Sequence, residues 1–267
     1  MLEAVTGRTR LDLLTEPGSR VEPAQRERLA TWIAERASGT PLQHLTGVAP
    51  FWGLALEAGP DALVPRPETE RLVELVLEAM VGRTRPTVLD LGTGSGAIAI
   101  AIAIERPDAE VWASELDPRA TELAARNLAR FATGVRLVQA DLLQDEALHD
   151  LLPRLDALVA NLPYLHDADA DALPPEVKRD PAAALFGGSD GLELLRRAWL
   201  QAEQGLFDRA EAWFELDPRN VAHAAAWLRG RPALEGRQID VLHDLTDRPR
   251  FLRVGARNTE ASWWRWA

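Results

Sequence analysis

Asn161-Leu162-Pro163-Tyr164 is the stretch of this sequence best equipped for chemistry. It follows the apolar run Leu155 to Ala160, bounded by Pro153 and Pro163, which reads as a buried strand. A strand ending in Asn, a non-polar residue, Pro and Tyr can grip one planar –NH2 group. The Asn side-chain oxygen and the next backbone carbonyl both accept hydrogen bonds. The proline stiffens the backbone that carries the carbonyl, and the Tyr ring offers a flat face. This is equipment for methylating an amide or exocyclic amino nitrogen, whose lone pair is otherwise tied up in conjugation. The tetrapeptide alone also fits an ordinary strand-to-loop exit, so its weight comes from what lies upstream.

Upstream, Asp90-Leu91-Gly92-Thr93-Gly94-Ser95-Gly96 stands between a strand and a helix. Gly92 and Gly94 let the backbone turn tightly and approach a ligand where a Cβ would collide. The helix start offers unpaired N–H groups. Gly92-x-Gly94-x-x-Ala97 also satisfies a dinucleotide fingerprint, with Glu115 at about the ~20-residue spacing of a ribose-binding acid, so NAD is a rival on this segment. Three acids favour S-adenosylmethionine. Asp90 places a carboxylate where a cationic amino group can be satisfied and a pyrophosphate is repelled. Glu115 can accept from both ribose hydroxyls. Asp141 can accept from the adenine amino group, with Leu142 against the ring. All three fall at the carboxyl ends of successive strands, where open α/β sheets bind ligands.

The elements that must position these residues alternate. Thr87 to Leu91, Glu110 to Ser114, Val135 to Ala140 and Leu155 to Ala160 read as strands, with helices from Ala97 and over Arg119 to Arg130. This predicts a mostly parallel, doubly wound sheet. Glu211 to Leu216, Gln238 to Leu242 and Phe251 to Val254 add three strands, the last two an antiparallel hairpin. Residues 97–104 read AIAIAIAI, a period of two, but a crossover is needed there and the segment is assigned to a helix. Residues 1–48 read as helical, with Pro23 at a helix start and Gly39 at its end. Residues 49–66 read as a β-hairpin linker turning at Gly59-Pro60-Asp61. Residues 67–267 form the catalytic domain, opening with a helix from Pro67 to about Met80. Leu165 to Gly188 is long, aperiodic and rich in Asp, Pro and Ala, as lids and binding loops are.

Composition narrows the partners. The chain of 267 residues has no cysteine, five scattered histidines and a net charge of −11, with Lys178 its only lysine. Thiolate and metal chemistry are not expected. An acidic chain is a poor general binder of nucleic acid. No signal segment or membrane span is read, so a cytoplasmic protein acting as a monomer is expected.

With these motifs in place, the chain resembles the HemK/PrmC family. Pro41-Leu42-Gln43-His44-Leu45-Thr46-Gly47, Phe51-Trp52-Gly53-Leu54, Val64-Pro65-Arg66-Pro67-Glu68-Thr69-Glu70 and Asp90 through Ala99 carry the resemblance. So do the Asn161 tetrapeptide, Pro174-Pro175-Glu176-Val177 and Ala184-Leu185-Phe186-Gly187-Gly188. The resemblance implies a Rossmann-type class I methyltransferase with a small N-terminal helical domain that grips a peptide chain release factor. It implies transfer from S-adenosylmethionine, leaving S-adenosylhomocysteine, to the side-chain nitrogen of the Gln in a Gly-Gly-Gln motif. Asp90, Gly92, Thr93, Gly94, Ser95, Gly96, Glu115, Asp141, Leu142 and Asn161 would hold the cofactor. Arg66, Glu68 and Thr69 would wall the site beside Asn161, Leu162, Pro163 and Tyr164. Two departures are Leu162 where the family usually has Pro, and a start that matches the interior of the family's helical domain. Rival readings are a nucleic-acid amino-methyltransferase acting on adenine N6 or guanine N2, an NAD-dependent oxidoreductase and a non-catalytic paralogue.

Overall fold

The computed structural model describes residues 1–131, 133–203, 205–206 and 209–257. The chain opens with α1 (Leu2–Thr6), α2 (Arg10–Thr15), α3 (Pro23–Ala37) and α4 (Leu42–Thr46), followed by β1 (Val48–Phe51) and β2 (Leu54–Glu57). Next come α5 (Pro67–Ala79), β3 (Thr87–Leu91), α6 (Ala97–Glu105), β4 (Glu110–Glu115), α7 (Pro118–Phe131), β5 (Arg136–Gln139), α8 (Glu146–Leu151) and β6 (Ala157–Ala160). The remainder is α9 (Glu193–Ala202), β7 (Glu211–Glu215), α10 (Val221–Arg229), β8 (Ile239–His243) and β9 (Pro249–Val254).

β3 to β9 form one sheet in the order β5-β4-β3-β6-β7-β9-β8. The first five strands in that order pair parallel, and β9 pairs antiparallel with both β7 and β8. The expected parallel sheet with its antiparallel hairpin is therefore present. Strand periodicity splits the core in two. Val88, Ala157, Val159, Trp213 and Phe251 face α5, α6 and α7. Leu89, Leu91, Leu158, Phe214 and Leu252 face α8, α9 and α10.

The AIAIAIAI segment is helical, as the crossover demanded. Every residue from Ala97 to Ala103 is buried, because α6 lies between the sheet and its neighbours α5 and α7. A helix covered all round needs no polar stripe, so its sequence loses the helical period.

The hairpin differs from the expected one. Its turn is Trp52-Gly53, both at positive φ (54° and 68°), and Phe51 pairs with Leu54 across it. Such a two-residue turn twists in the sense of the strands it joins, and glycine at its second position makes it accessible. Gly59 to Asp61 instead lies in the irregular run to α5. Asn127 of α7 ties the linker down: it accepts from Glu57 N (2.7 Å) and donates to the carbonyls of Glu57 (3.1 Å) and Ser95 (2.9 Å).

The N-terminal helices enclose a small core of Val5, Trp32 and Leu45. They meet the loop that follows β6. Arg36 pairs with Glu176 at 2.7 Å, and Gly39 lies against Pro175, where a Cβ would come within 2.7 Å of that ring. The Trp263-Trp264-Arg265-Trp266 tail lies outside the described residues.

Replacing Asn127 by Ala should cost about 1–3 kcal/mol of stability, since it strands buried backbone groups at two separate segments. Urea titration checks this: the midpoint should fall with little change in the slope.

Candidate active site

β3, β4, β5 and β6 run parallel, so their carboxyl ends open on one edge of the sheet. A cavity of about 450 Å³ lies there, lined by Gly92, Thr93, Gly94, Ser95, Glu115, Asp141, Leu142 and Asn161 among others. A second cavity of about 210 Å³ adjoins it and shares Leu63, Arg66, Asn161, Leu162, Pro163 and Ala184. Asn161 to Pro163 thus forms the partition between a larger and a smaller chamber.

The glycine loop is held by acceptors. Gly92 and Thr93 both donate to the Ser114 carbonyl at 2.9 Å, Gly94 donates to Glu115 Oε2 at 2.9 Å, and Gly96 donates to the Thr93 carbonyl. Four of its amides are therefore engaged within the protein, which leaves the loop poorly supplied with donors for a pyrophosphate. Acids outnumber bases in this chamber's lining: Asp61, Glu115, Asp117 and Asp141 stand against Arg66. The arrangement suits a cationic or hydroxyl-bearing ligand.

Glu115 also accepts from the amides of Leu116 (2.8 Å) and Asp117 (3.0 Å), which fixes its carboxylate at the chamber wall. Asp141 is held by Arg197 of α9 at 2.6 Å, a partner the sequence does not signal. Leu142 is buried, at φ 57°. Asp90 is wholly buried and does not line the chamber. Its Oδ2 accepts from the Thr93 hydroxyl (2.5 Å) and from Ala99 N (3.1 Å), while Oδ1 has no partner. Burial raises its pKa to about 7. Asp90 therefore supports the loop from beneath. Gly96, at φ 85°, starts α6 and does not line the chamber either.

The partition is built for acceptance. Asn161 Nδ2 donates to the Thr69 hydroxyl at 3.1 Å, leaving Oδ1 buried with no partner. Among the described residues no donor reaches the Leu162 carbonyl. Two adjacent acceptors, one side chain and one backbone, are thus without a donor among the described residues. The Leu162 side chain packs on Gly92, where a Cβ would approach it to 2.7 Å. The glycine and the leucine are fitted to each other across the two motifs.

The turn is clamped from behind. Asn220 donates to the Tyr164 carbonyl at 2.9 Å and meets His166 Nε2 at 2.7 Å. Leu165 donates to the Leu185 carbonyl (2.9 Å) and accepts from Gly187 N (2.8 Å), and Gly187 lies so close to the Pro163 carbonyl that no Cβ would fit. Arg66 lines both chambers and pairs with the buried Asp180 at 2.6 Å; His44 lies 3.5 Å from the same carboxylate. Of the wall residues, Thr69 lines the larger chamber and holds Asn161, whereas Glu68 lines neither. Tyr164 lines the smaller one.

Comparison with known proteins gives the chain's family. The model of the PrmC N-terminal domain matches residues 1–47, and that of the methyltransferase small domain matches residues 69–177. A release factor glutamine methyltransferase of Deinococcus radiodurans is 40% identical over 254 residues, covering 95% of this chain and 88% of its own length. The chain belongs to the release factor glutamine methyltransferase family. A human member, MTRF1L release factor glutamine methyltransferase, is 33% identical across 83% of this chain and 69% of its own. The catalytic domain of human Mettl16, solved with an RNA hairpin, shares the fold (TM-score 0.61) at 16% identity, over 78% of this chain and 76% of that one. Membership in the release factor glutamine methyltransferase family removes the oxidoreductase alternative.

Two residues of the site escaped sequence reading, Arg197 and Glu215. Glu215 ends β7 and is buried. The strand-end rule that picks out Asp90, Glu115 and Asp141 would have found it too.

Glu115→Ala should weaken binding of the chamber's ligand by about 1–3 kcal/mol, which calorimetry measures. A second outcome concerns Asp90. Its pKa in the folded chain is raised, so between pH ~4 and ~7 the native state binds more protons than the unfolded state and loses stability as pH rises. Asp90→Asn removes that loss, so the stability difference between variant and parent should move in the variant's favour from about pH 5 to pH 8 in urea titrations.

Proposed function

We propose that the larger chamber holds S-adenosylmethionine and that the smaller one admits the side-chain amide of a glutamine, that of the Gly-Gly-Gln motif of a peptide chain release factor. The observation that carries this reading is the pair of unpartnered acceptors, Asn161 Oδ1 and the Leu162 carbonyl, on residues that line both chambers. An amide –NH2 has two donors in one plane and satisfies both. The acidic lining and acceptor-rich loop of the larger chamber fit a ligand bearing an ammonium group, a sulfonium and ribose hydroxyls. S-adenosylmethionine supplies an electrophilic methyl group.

The protein's own contribution is positioning and electrostatics. Asn161 Oδ1 and the Leu162 carbonyl hold the two amide hydrogens away from the larger chamber's far wall and aim the nitrogen lone pair across the partition. As the nitrogen pyramidalises its hydrogens become more acidic, and the same two acceptors gain strength as that charge develops. The product amide nitrogen loses one proton through this contact to solvent, so no strong base is required. Pro163 biases Leu162 toward extended backbone, keeping its carbonyl in place. The helices of residues 1–48 and the hairpin linker of residues 49–66 would present the release factor. Methyl transfer from labelled cofactor to purified release factor, with a Gln-to-Ala substrate as control, tests the reading.

Asn161→Ala should lower kcat by about 10²–10³-fold while cofactor affinity changes far less, as expected on deleting one transition-state partner. Single-turnover kinetics with calorimetry separates the two. Leu162→Pro should leave turnover within about tenfold of the parent, because both residues offer the same carbonyl and differ by roughly 1 kcal/mol of backbone entropy. A parent without activity that is restored by Leu162→Pro would instead favour a disabled paralogue.

A further inference from the structure

An Asn amide can present either its oxygen or its –NH2 to a ligand, since the two ends have nearly the same shape. In this site only the oxygen serves, and something must decide the orientation. The partner of the other end is Thr69, whose hydroxyl can both donate and accept and so decides nothing by itself. A group of fixed polarity is needed behind Thr69.

Glu215 stands there. β6 and β7 pair with Ala160 opposite Phe214, so the next step of the register sets Asn161 beside Glu215. The Glu215 side chain is buried, with the hydroxyls of Thr69 and Tyr164 against it. Neither of its oxygens meets full hydrogen-bond geometry with any group, these two hydroxyls included, so both are left as buried acceptors. The charged groups that face it are Arg250 of β9, which also bonds Asp244, and Glu68 of α5.

We propose that Glu215 is the positioning residue that orients the Asn161 amide. Its carboxylate only accepts, so the Thr69 hydroxyl must donate to it. The Thr69 oxygen is then left to accept from Asn161 Nδ2, and Asn161 Oδ1 is turned to the substrate. The relay rests on the reading of Asn161 as the acceptor for a substrate –NH2. It transfers no proton; it fixes the direction of two hydrogen bonds. Burial raises the Glu215 pKa to about 7, against the opposing pull of Arg250. Protonated Glu215 could donate to Thr69, release the constraint and let Asn161 flip, so activity should fall as pH drops through about 7.

The test is a pH series of kcat on release factor for the parent, Glu215→Gln, Thr69→Val and Thr69→Ser, with side-chain amide NMR of Asn161. Glu215→Gln should lose about tenfold in kcat at pH 8, with KM and cofactor affinity within about twofold, and should lose the limb near pH 7. Thr69→Val should fall at least as far, and Thr69→Ser should retain activity. The Asn161 amide protons should titrate near pH 7 in the parent and not in Glu215→Gln. A Glu215→Gln enzyme within about twofold of the parent in kcat, or one that keeps the same pH limb, would overturn the proposal, as would an Asn161 amide indifferent to both. A parent that transfers no methyl yet shows the Asn161 titration would overturn the release-factor reading and leave the orientation standing.

Discussion

Parallel pairing of β3 with both β4 and β6 is the constraint from which the site follows. Strands that run the same way end on the same edge, and each must be followed by a crossover that leaves that edge open. The glycine loop after β3, Glu115 at the end of β4, Asp141 beyond β5 and Asn161 beyond β6 are spread over 70 positions of sequence. Pairing collects them. Its register continues to β7, which sets Glu215 next to Asn161 and places a fixed acceptor behind the partition.

The chemistry here is carried by acceptors, and that choice has a stability cost. Asp90 and Glu215 are both buried with pKa values raised to about 7, and Asn161 Oδ1 is buried without a partner. A packed protein ordinarily satisfies or excludes such groups. Asn161 Oδ1 is tolerated where a ligand completes it, and Asp90 and Glu215 lie behind the groups that line the chambers. The open carbonyl of Leu162 belongs to the same set, which explains how Leu can stand where relatives of the family usually have Pro. The backbone acceptor is unchanged, and the side chain fills the space that Gly92 leaves.

The 165–188 loop joins the N-terminal helices to the Asn161 turn. At one end Leu165 and Gly187 lock it to the Asn161 turn. Further along, Glu176 and Pro175 meet Arg36 and Gly39 of the N-terminal helices, and Asp180 holds Arg66 at the border of both chambers. A partner bound to the helices bears on a segment whose other contacts line the site.

Much of this was legible in the chain. Local signals with a strong physical cause survived folding: glycines after an apolar strand, Pro67 at a helix start, the alternation of strand and helix, and the Asn161 tetrapeptide. The parallel sheet, its antiparallel hairpin and the acids at strand ends all follow from them. What the sequence could not specify depends on contacts between distant segments. The hairpin turn moved to Trp52-Gly53, because two residues at positive φ close it more tightly than Gly59-Pro60-Asp61. Asp90 proved to brace the glycine loop, since only the packing of α6 on β3 shows that its carboxyl points inward. Arg197 had no local signal that set it apart from other surface charges, and Glu215, although it ends a strand, is tied to Asn161 only by the β6–β7 register. The sequence by itself determined which residues could do chemistry and on which strands they ride. The tertiary structure alone decided which way each polar group faces, because that is fixed by the partners that register and crossover packing bring beside it.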